Sequence, residues 1–158
     1  MSEAVRAVIA LGSNLDDPER QVRTAFDELA AFPETKLLAK SRARLFRPVG
    51  LENQPDFVNA CALVETTLAP RTLLAKLLDL ERRHKRVRAI PNGPRTLDLD
   101  IILYGDRIVD EPDLTIPHPR AHERAFVLEP LLEIWPDAVI PGKGKASALL
   151  ALRGNDKA

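Results

Sequence analysis

The sequence predicts an α+β sandwich in one domain, an antiparallel sheet with helices packed on one face. Three observations lead there. Segments of period two and segments of helical period follow one another as strand, helix, strand, strand, helix, strand. Thirteen prolines cluster between these segments and mark stiff connections between elements. The strands at 57–67 and 96–104 alternate residue by residue, as sheet strands with two distinct faces do.

Residues 4–11, AVRAVIAL, read as the first strand, apolar on both faces and therefore central. Gly12-Ser13-Asn14 ends it. Asp16 or Asp17 can cap the next element, and Pro18 suits its first turn. Val22, Ala25, Phe26, Leu29 and Ala30 recur at helical spacing as far as about residue 31, and Pro33 stops the helix. A weaker alternation over 36–46 predicts the second strand, and 47–57 reads as a proline-rich loop. In the third strand Phe57, Asn59, Cys61, Leu63 and Glu65 share one face, with Val58, Ala60, Ala62 and Val64 on the other. Pro70 opens a second helix with Leu73, Leu74, Leu77, Leu78 and Glu81 on its buried stripe. The fourth strand, 96–104, puts Leu97, Leu99, Ile101 and Leu103 on one face. Thr96, Asp98, Asp100, Ile102 and Tyr104 take the other. Arg107 to Val109 predicts a short strand, 121–134 a third helix, and 147–152 a last one after a GKGK turn. The order βαββαβ is that of a ferredoxin-like sandwich.

At 158 residues the chain can bury a core without staples. Its formal net charge is zero, which argues against nucleic acid or an acidic membrane surface as partner. The lone Cys61 excludes an intrachain disulfide framework. With Arg6 interrupting the only apolar N-terminal run, and no apolar stretch long enough to span a bilayer, a cytoplasmic protein is expected.

Chemistry concentrates at 81–105. A period of two sets Asp98 and Asp100 side by side, about 7 Å apart at Cα. A bare D-x-D is commonly just the wet face of a strand. Here Ile102 and Tyr104 continue that face with apolar character, and Asp is disfavoured in strands. Six Lys/Arg lie between Arg82 and Arg95. Some of them suit a solvated helix end, where cations favour the C-terminal dipole. Arg86, Arg88 and Arg95 flank the loop leading to the acid pair, where guanidinium forks suit phosphate. Carboxylates beside arginines point to magnesium and a polyphosphate handled together. His118 and His122 stand four apart, but Pro117 and Pro119 keep them off one helix face, which argues against zinc. No GxxxxGK[ST] is present, so a nucleotide here is not held by a P-loop.

Five segments together are specific: ALGSNL (10–15), QPDFVNA (54–60), E-x4-R-V-R (81–88), GPRTLDLDIILYG (93–105) and IPHPRAHERAFVLEPL (116–131). In these the chain resembles the 6-hydroxymethyl-7,8-dihydropterin pyrophosphokinases of folate biosynthesis, over nearly its whole length. The resemblance implies a ferredoxin-like fold and transfer of pyrophosphate from ATP to the pterin hydroxymethyl group, releasing AMP. It implies Asp98 and Asp100 as ligands of two Mg2+ ions, and with Arg86 and Arg95 as catalytic residues. Glu81, Arg86, Arg88, Arg95, His118 and Arg124 match positions that touch ATP. Phe57 and Phe126 match an aromatic pair around the pterin, Asn59 the amide reading its edge, and Phe46 and Val49 fall beside it. Family members are usually monomers. Two departures stand out: Pro91 and Asn92 replace a common Arg-Trp pair, and Phe46 stands where Thr is common. The competing class is a non-catalytic ferredoxin-like module binding RNA or a small ligand. RNA readers display surface aromatics and a basic excess, whereas this chain has 4% aromatics and no net charge.

Overall fold

The computed structural model describes residues 3–15, 17–47, 55–84 and 96–152. Strand β1 (Val5–Ser13) runs through the middle of an antiparallel sheet, between β4 (Phe57–Thr66) and β5 (Asp98–Tyr104). Beyond β4 lie β2 (Thr35–Lys40) and β3 (Arg44–Phe46), both paired with it. The expected strand over 36–46 is therefore two strands. At the break Ser41 keeps the sheet closed: its N–H donates to Cys61 O at 2.9 Å and its Oγ accepts the Cys61 N–H at 2.9 Å. A side chain there replaces one rung of the ladder, so the backbone can turn without orphaning a buried donor.

Helices α1 (Pro18–Ala30) and α2 (Pro70–Arg83) cover one face. Val22, Ala25, Phe26 and Leu29 of α1 and Leu73, Leu77 and Leu80 of α2 pack on Ala7, Ile9, Leu11, Val58, Ala60, Ala62, Val64, Leu99 and Ile101. Each fully buried Leu or Ile contributes about 1.5–3 kcal/mol. The stripe of α2 follows 73, 77 and 80, so Leu78, expected inside, is 39% exposed. Nor does an acidic side chain cap α1. Asp17 adopts a left-handed φ of 62° without a side-chain cap, because that backbone does not aim its carboxylate at the first-turn amides. Asp16 lies outside the described residues.

The opposite face is covered too, unlike the one-sided packing expected. Helix α3 (Ala125–Ile134) sets Val127, Leu128 and Leu131 against Val8, Cys61, Leu63, Ile102 and Leu103, and α4 (Ala146–Leu152) packs against α3. The stretch expected as one helix from 121 is a 3-10 turn (Ala121–Glu123), then Arg124 in an extended conformation, then α3. The expected strand at 107–109 is displaced. Arg107 N–H closes a turn on Tyr104 O at 3.1 Å, and β6 (Val109–Glu111) pairs with β7 (Leu114–Ile116). A hairpin of β8 (Val139–Ile140) and β9 (Gly144–Lys145) precedes α4; Gly142 and Gly144, with φ of 79° and 116°, make its turn.

One irregularity changes which face β5 presents. Ile9 pairs with Ile101 but Val8 pairs with Leu103, so Ile102 is an extra residue in β5. Beyond it the alternation inverts. Leu103 joins Ile102 on the α3 face and Tyr104 turns to the α1/α2 face, where its hydroxyl donates to Leu68 O at 2.5 Å. Asp98 and Asp100 precede the bulge and keep the α3 face. Among the described residues no helix is long and apolar enough to cross a membrane.

Candidate active site

At one end of the α3 face of the sheet, polar residues of three strands line up. Asp98 on β5 lies opposite Gly12 on β1, Gly12 opposite Asn59 on β4, and Asn59 opposite Arg44 on β3. One row further in, Asp100 faces Ala10; one row further out, Phe57 faces Phe46. Antiparallel register thus brings residues 15 to 86 positions apart in sequence onto one row. Asp98, Asp100, Phe57 and Asn59 are all half-buried.

The glycine in that row is needed as glycine. A Cβ at Gly12 would lie 2.9 Å from Oδ1 of Asn59, so the Asn59 amide rests across β1 toward Asp98. The next two residues fasten the ends of the site strands. Ser13 Oγ donates to Thr96 O at 2.5 Å, just before β5, and Asn14 Nδ2 donates to Pro55 O at 2.9 Å, just before β4. The Gly12-Ser13-Asn14 cluster, expected only to turn the chain, therefore still belongs to the sheet through Ser13 and holds both strands at the site.

From above, the segment leading into α3 completes the group. Extended Arg124 interrupts the helical run and carries its guanidinium over the Phe126 ring, 5.3 Å from the centroid. Phe126 meets Phe46 edge to face at 6.0 Å and 61°. Burial, and then the charge of Arg120, lowers Arg124 from its ordinary pKa, with Asp100 and Asp98 pulling the other way. Burial, and then Arg124, lowers His118 below the ordinary imidazole value, against the pull of Asp98. His118 is thus neutral at pH 7. Its Nδ1 accepts the Arg120 N–H at 3.2 Å, which leaves the ring proton on Nε2. Its own N–H donates to Ile102 O at 3.2 Å, docking the segment along β5.

Glu81 arrives from the other side of the sheet. It is 2% exposed at the end of α2, and its Oε2 accepts the backbone N–H of Leu99, between the two aspartates, at 2.7 Å. Of the expected site residues, Asp98, Asp100, His118, Arg124, Phe46, Phe57, Asn59 and Phe126 converge on one end of one face, and Glu81 on the edge of β5. Arg86, Arg88, Arg95 and Val49 lie outside the described residues, as do Pro91 and Asn92.

Among the described residues no group of three or more His, Cys, Asp or Glu could hold a metal ion unaided. Magnesium needs only one or two carboxylates when phosphate oxygens complete its shell. Two aspartates on one strand face therefore fit an ion that arrives with a nucleotide.

Comparison with known proteins gives the family. The family profile of 7,8-dihydro-6-hydroxymethylpterin-pyrophosphokinase matches residues 8–136. A 2-amino-4-hydroxy-6-hydroxymethyldihydropteridine pyrophosphokinase of Pseudomonas aeruginosa is 44% identical over 146 residues, 92% of this chain and 90% of that one. One from Haemophilus influenzae is 45% identical over 137 residues, covering 87% and 86%. The crystal structure of wild-type Plasmodium falciparum HPPK-DHPS with pteroate superposes with a TM-score of 0.72 at 14% identity, over 96% of this chain and 45% of that chain, a likeness of fold. The chain belongs to the 7,8-dihydro-6-hydroxymethylpterin-pyrophosphokinase family.

Proposed function

We infer that the end of the α3 face is where this pyrophosphokinase moves the terminal pyrophosphoryl unit of ATP onto 6-hydroxymethyl-7,8-dihydropterin. The observation that carries the assignment is the single row joining Asp98, Gly12 and Asn59, with the Phe46–Phe126 contact beside it. Acid pair and aromatic slot are adjacent, so a triphosphate at one and a flat ring at the other meet between them.

Asp98 and Asp100 would hold two magnesium ions, whose charge when bound offsets that developing on the phosphoryl oxygens. The pterin hydroxymethyl oxygen forms a bond to the β-phosphorus, the α–β bridging P–O bond breaks, and AMP leaves. No covalent intermediate with the protein is needed; the side chains position and stabilise. Arg124, beside both aspartates, faces the phosphates, and the neutral His118 offers an Nε2–H donor. The resemblance adds Arg86, Arg88 and Arg95 to the phosphate site and Val49 to the pterin site. Phe57 and Phe126 sandwich the ring, Phe46 fixes the angle of Phe126, and Asn59 reads the ring edge. A heterocycle with misplaced donors would leave the Asn59 amide unpaired, a strong basis for discrimination. The same reading makes the protein a cytoplasmic monomer of one domain.

The test is nucleotide product analysis with ATP, magnesium and the pterin. Pterin-dependent AMP is expected. ADP would mean transfer of one phosphoryl group, and no turnover by folded protein would overturn the assignment. A non-catalytic module is not favoured, because the relatives are pyrophosphokinases.

A further inference from the structure

Strand β3 and helix α3 are joined twice along one line. Phe46 meets Phe126, and two residues earlier Arg44 reaches the same helix. Its Nη2 lies 2.8 Å from Glu133 Oε1 and its Nη1 3.6 Å from Glu129 Oε1. Glu133 Oε2 accepts the Arg42 N–H at 2.8 Å, and the Arg42 Nε stands 3.8 Å from Glu133 Oε1. Residues 126, 129 and 133 form one stripe of α3, and 44 and 46 share one face of β3. Strand and helix periods thus match over this short stretch.

Three features separate this contact from an ordinary surface ion pair. The side chains of Arg44 and Glu133 are only 22% and 30% exposed, so solvent screens them incompletely. Arg44 Nε is buried without a hydrogen-bond partner, a cost that an apolar residue here would avoid. And Arg44 pairs in register with Asn59, while Phe46 pairs with Phe57. The ion pair therefore sits directly behind the aromatic slot.

We propose that the Arg44–Glu133 pair is a positioning device for pterin recognition, holding α3 against β3 and so setting the gap between Phe126 and the strand that carries Phe57. The proposal rests on the pterin site assigned above. Arg44 does not touch the substrate; it acts through the placement of Phe126.

The experiment compares Arg44→Met, Glu133→Gln and the charge swap Arg44→Glu/Glu133→Arg with wild type. Pterin affinity is measured with a non-hydrolysable ATP analogue bound, and the affinity of the analogue alone is measured beside it. The single variants should bind the pterin about tenfold more weakly and the analogue within about twofold of wild type. The swap should recover part of the loss, because a carboxylate at 44 also faces Glu129 and a guanidinium at 133 also faces Arg42. Recovery matters because a carboxylate at 44 could not restore a direct contact of Arg44 with the ring. Glu133→Gln keeps the shape of α3 and serves if Arg44→Met does not fold. Unchanged pterin affinity, equal losses for both ligands, or no recovery in the swap would overturn the device while leaving the site assignment standing. Wild type that binds the analogue but no pterin would overturn the site assignment and the device with it.

Discussion

The carboxylate of Glu81 and the backbone amide of Leu99 meet at 2.7 Å, and this bond reaches the acid pair from behind. Among the described residues β5 is the outer strand of the sheet beside β1, so amides on its far edge have no ladder partner there. Glu81 supplies one from α2, at the residue between Asp98 and Asp100. Glu81→Ala would orphan a buried donor at a cost of about 1–3 kcal/mol. Glu81→Gln keeps an acceptor and should stay closer to wild type. Urea unfolding of both variants decides it; an alanine variant as stable as wild type would remove the bond from the account.

Gly12→Ala should disturb Asn59 first. The new Cβ would meet the amide oxygen at 2.9 Å, closer than non-bonded atoms settle, with the end of a side chain as the part that yields. Pterin affinity should fall about tenfold while the fold persists. Calorimetric titration with pterin in the presence of an ATP analogue measures it, and unchanged affinity would mean Asn59 does not read the ring.

Asp98→Ala and Asp100→Ala should each lower turnover about a hundredfold or more, since electrostatic stabilisation is usually the largest catalytic contribution. Neither is in the core, so both variants should retain a native circular dichroism spectrum. Near-normal turnover in either folded variant is the result that sinks the metal assignment.

Phe126→Ala removes the ring that meets both Phe46 and the Arg124 guanidinium. Pterin binding should weaken about tenfold or more and ATP binding much less, because stacking acts only on the flat ring. Equal losses would assign Phe126 to the core.

Acid should loosen the β3–α3 junction. Burial would raise the Glu133 carboxyl, but hydrogen bonds from Arg44 and the Arg42 amide outweigh it and hold it below the ordinary 4.5. The folded value is depressed, so the stabilisation is complete above that pH and is lost as pH falls through the folded value. The difference in Tm between wild type and Glu133→Gln should be constant from neutral pH down to about 4.5 and narrow below it. A difference that does not vary with pH would contradict the ion pair.

Cys61 lends itself to no such titration near neutrality. Burial, and then the charge of Glu133, pushes its thiol up to about 12, so it behaves as a small apolar core residue.

Much of the site was legible because strand periodicity is local. A period of two places Asp98 with Asp100, and Phe57 with Asn59, whatever the strands pair with. The same rule misassigned Leu103 and Tyr104, because a bulge at Ile102 arises from pairing with β1 and leaves no mark in the local pattern. Apolar spacing runs on through 121–134 and predicts one helix, whereas the backbone at Arg124 is extended between the 3-10 turn and α3.

The sequence by itself determined the order of the main elements as far as β5, apart from the break between β2 and β3, the pairing of the two aspartates on one face and, through five segments, the family. Those depend on backbone periodicity and on residue identity, which are properties of short stretches. Only the tertiary structure decided that helices cover both faces, that Gly12 lies under the Asn59 amide, that Glu81 serves β5 from behind, and that Arg44 reaches Glu133 across 89 positions. Each of these is a contact between distant segments, set by sheet register and packing, and no local pattern encodes which strand will lie beside which.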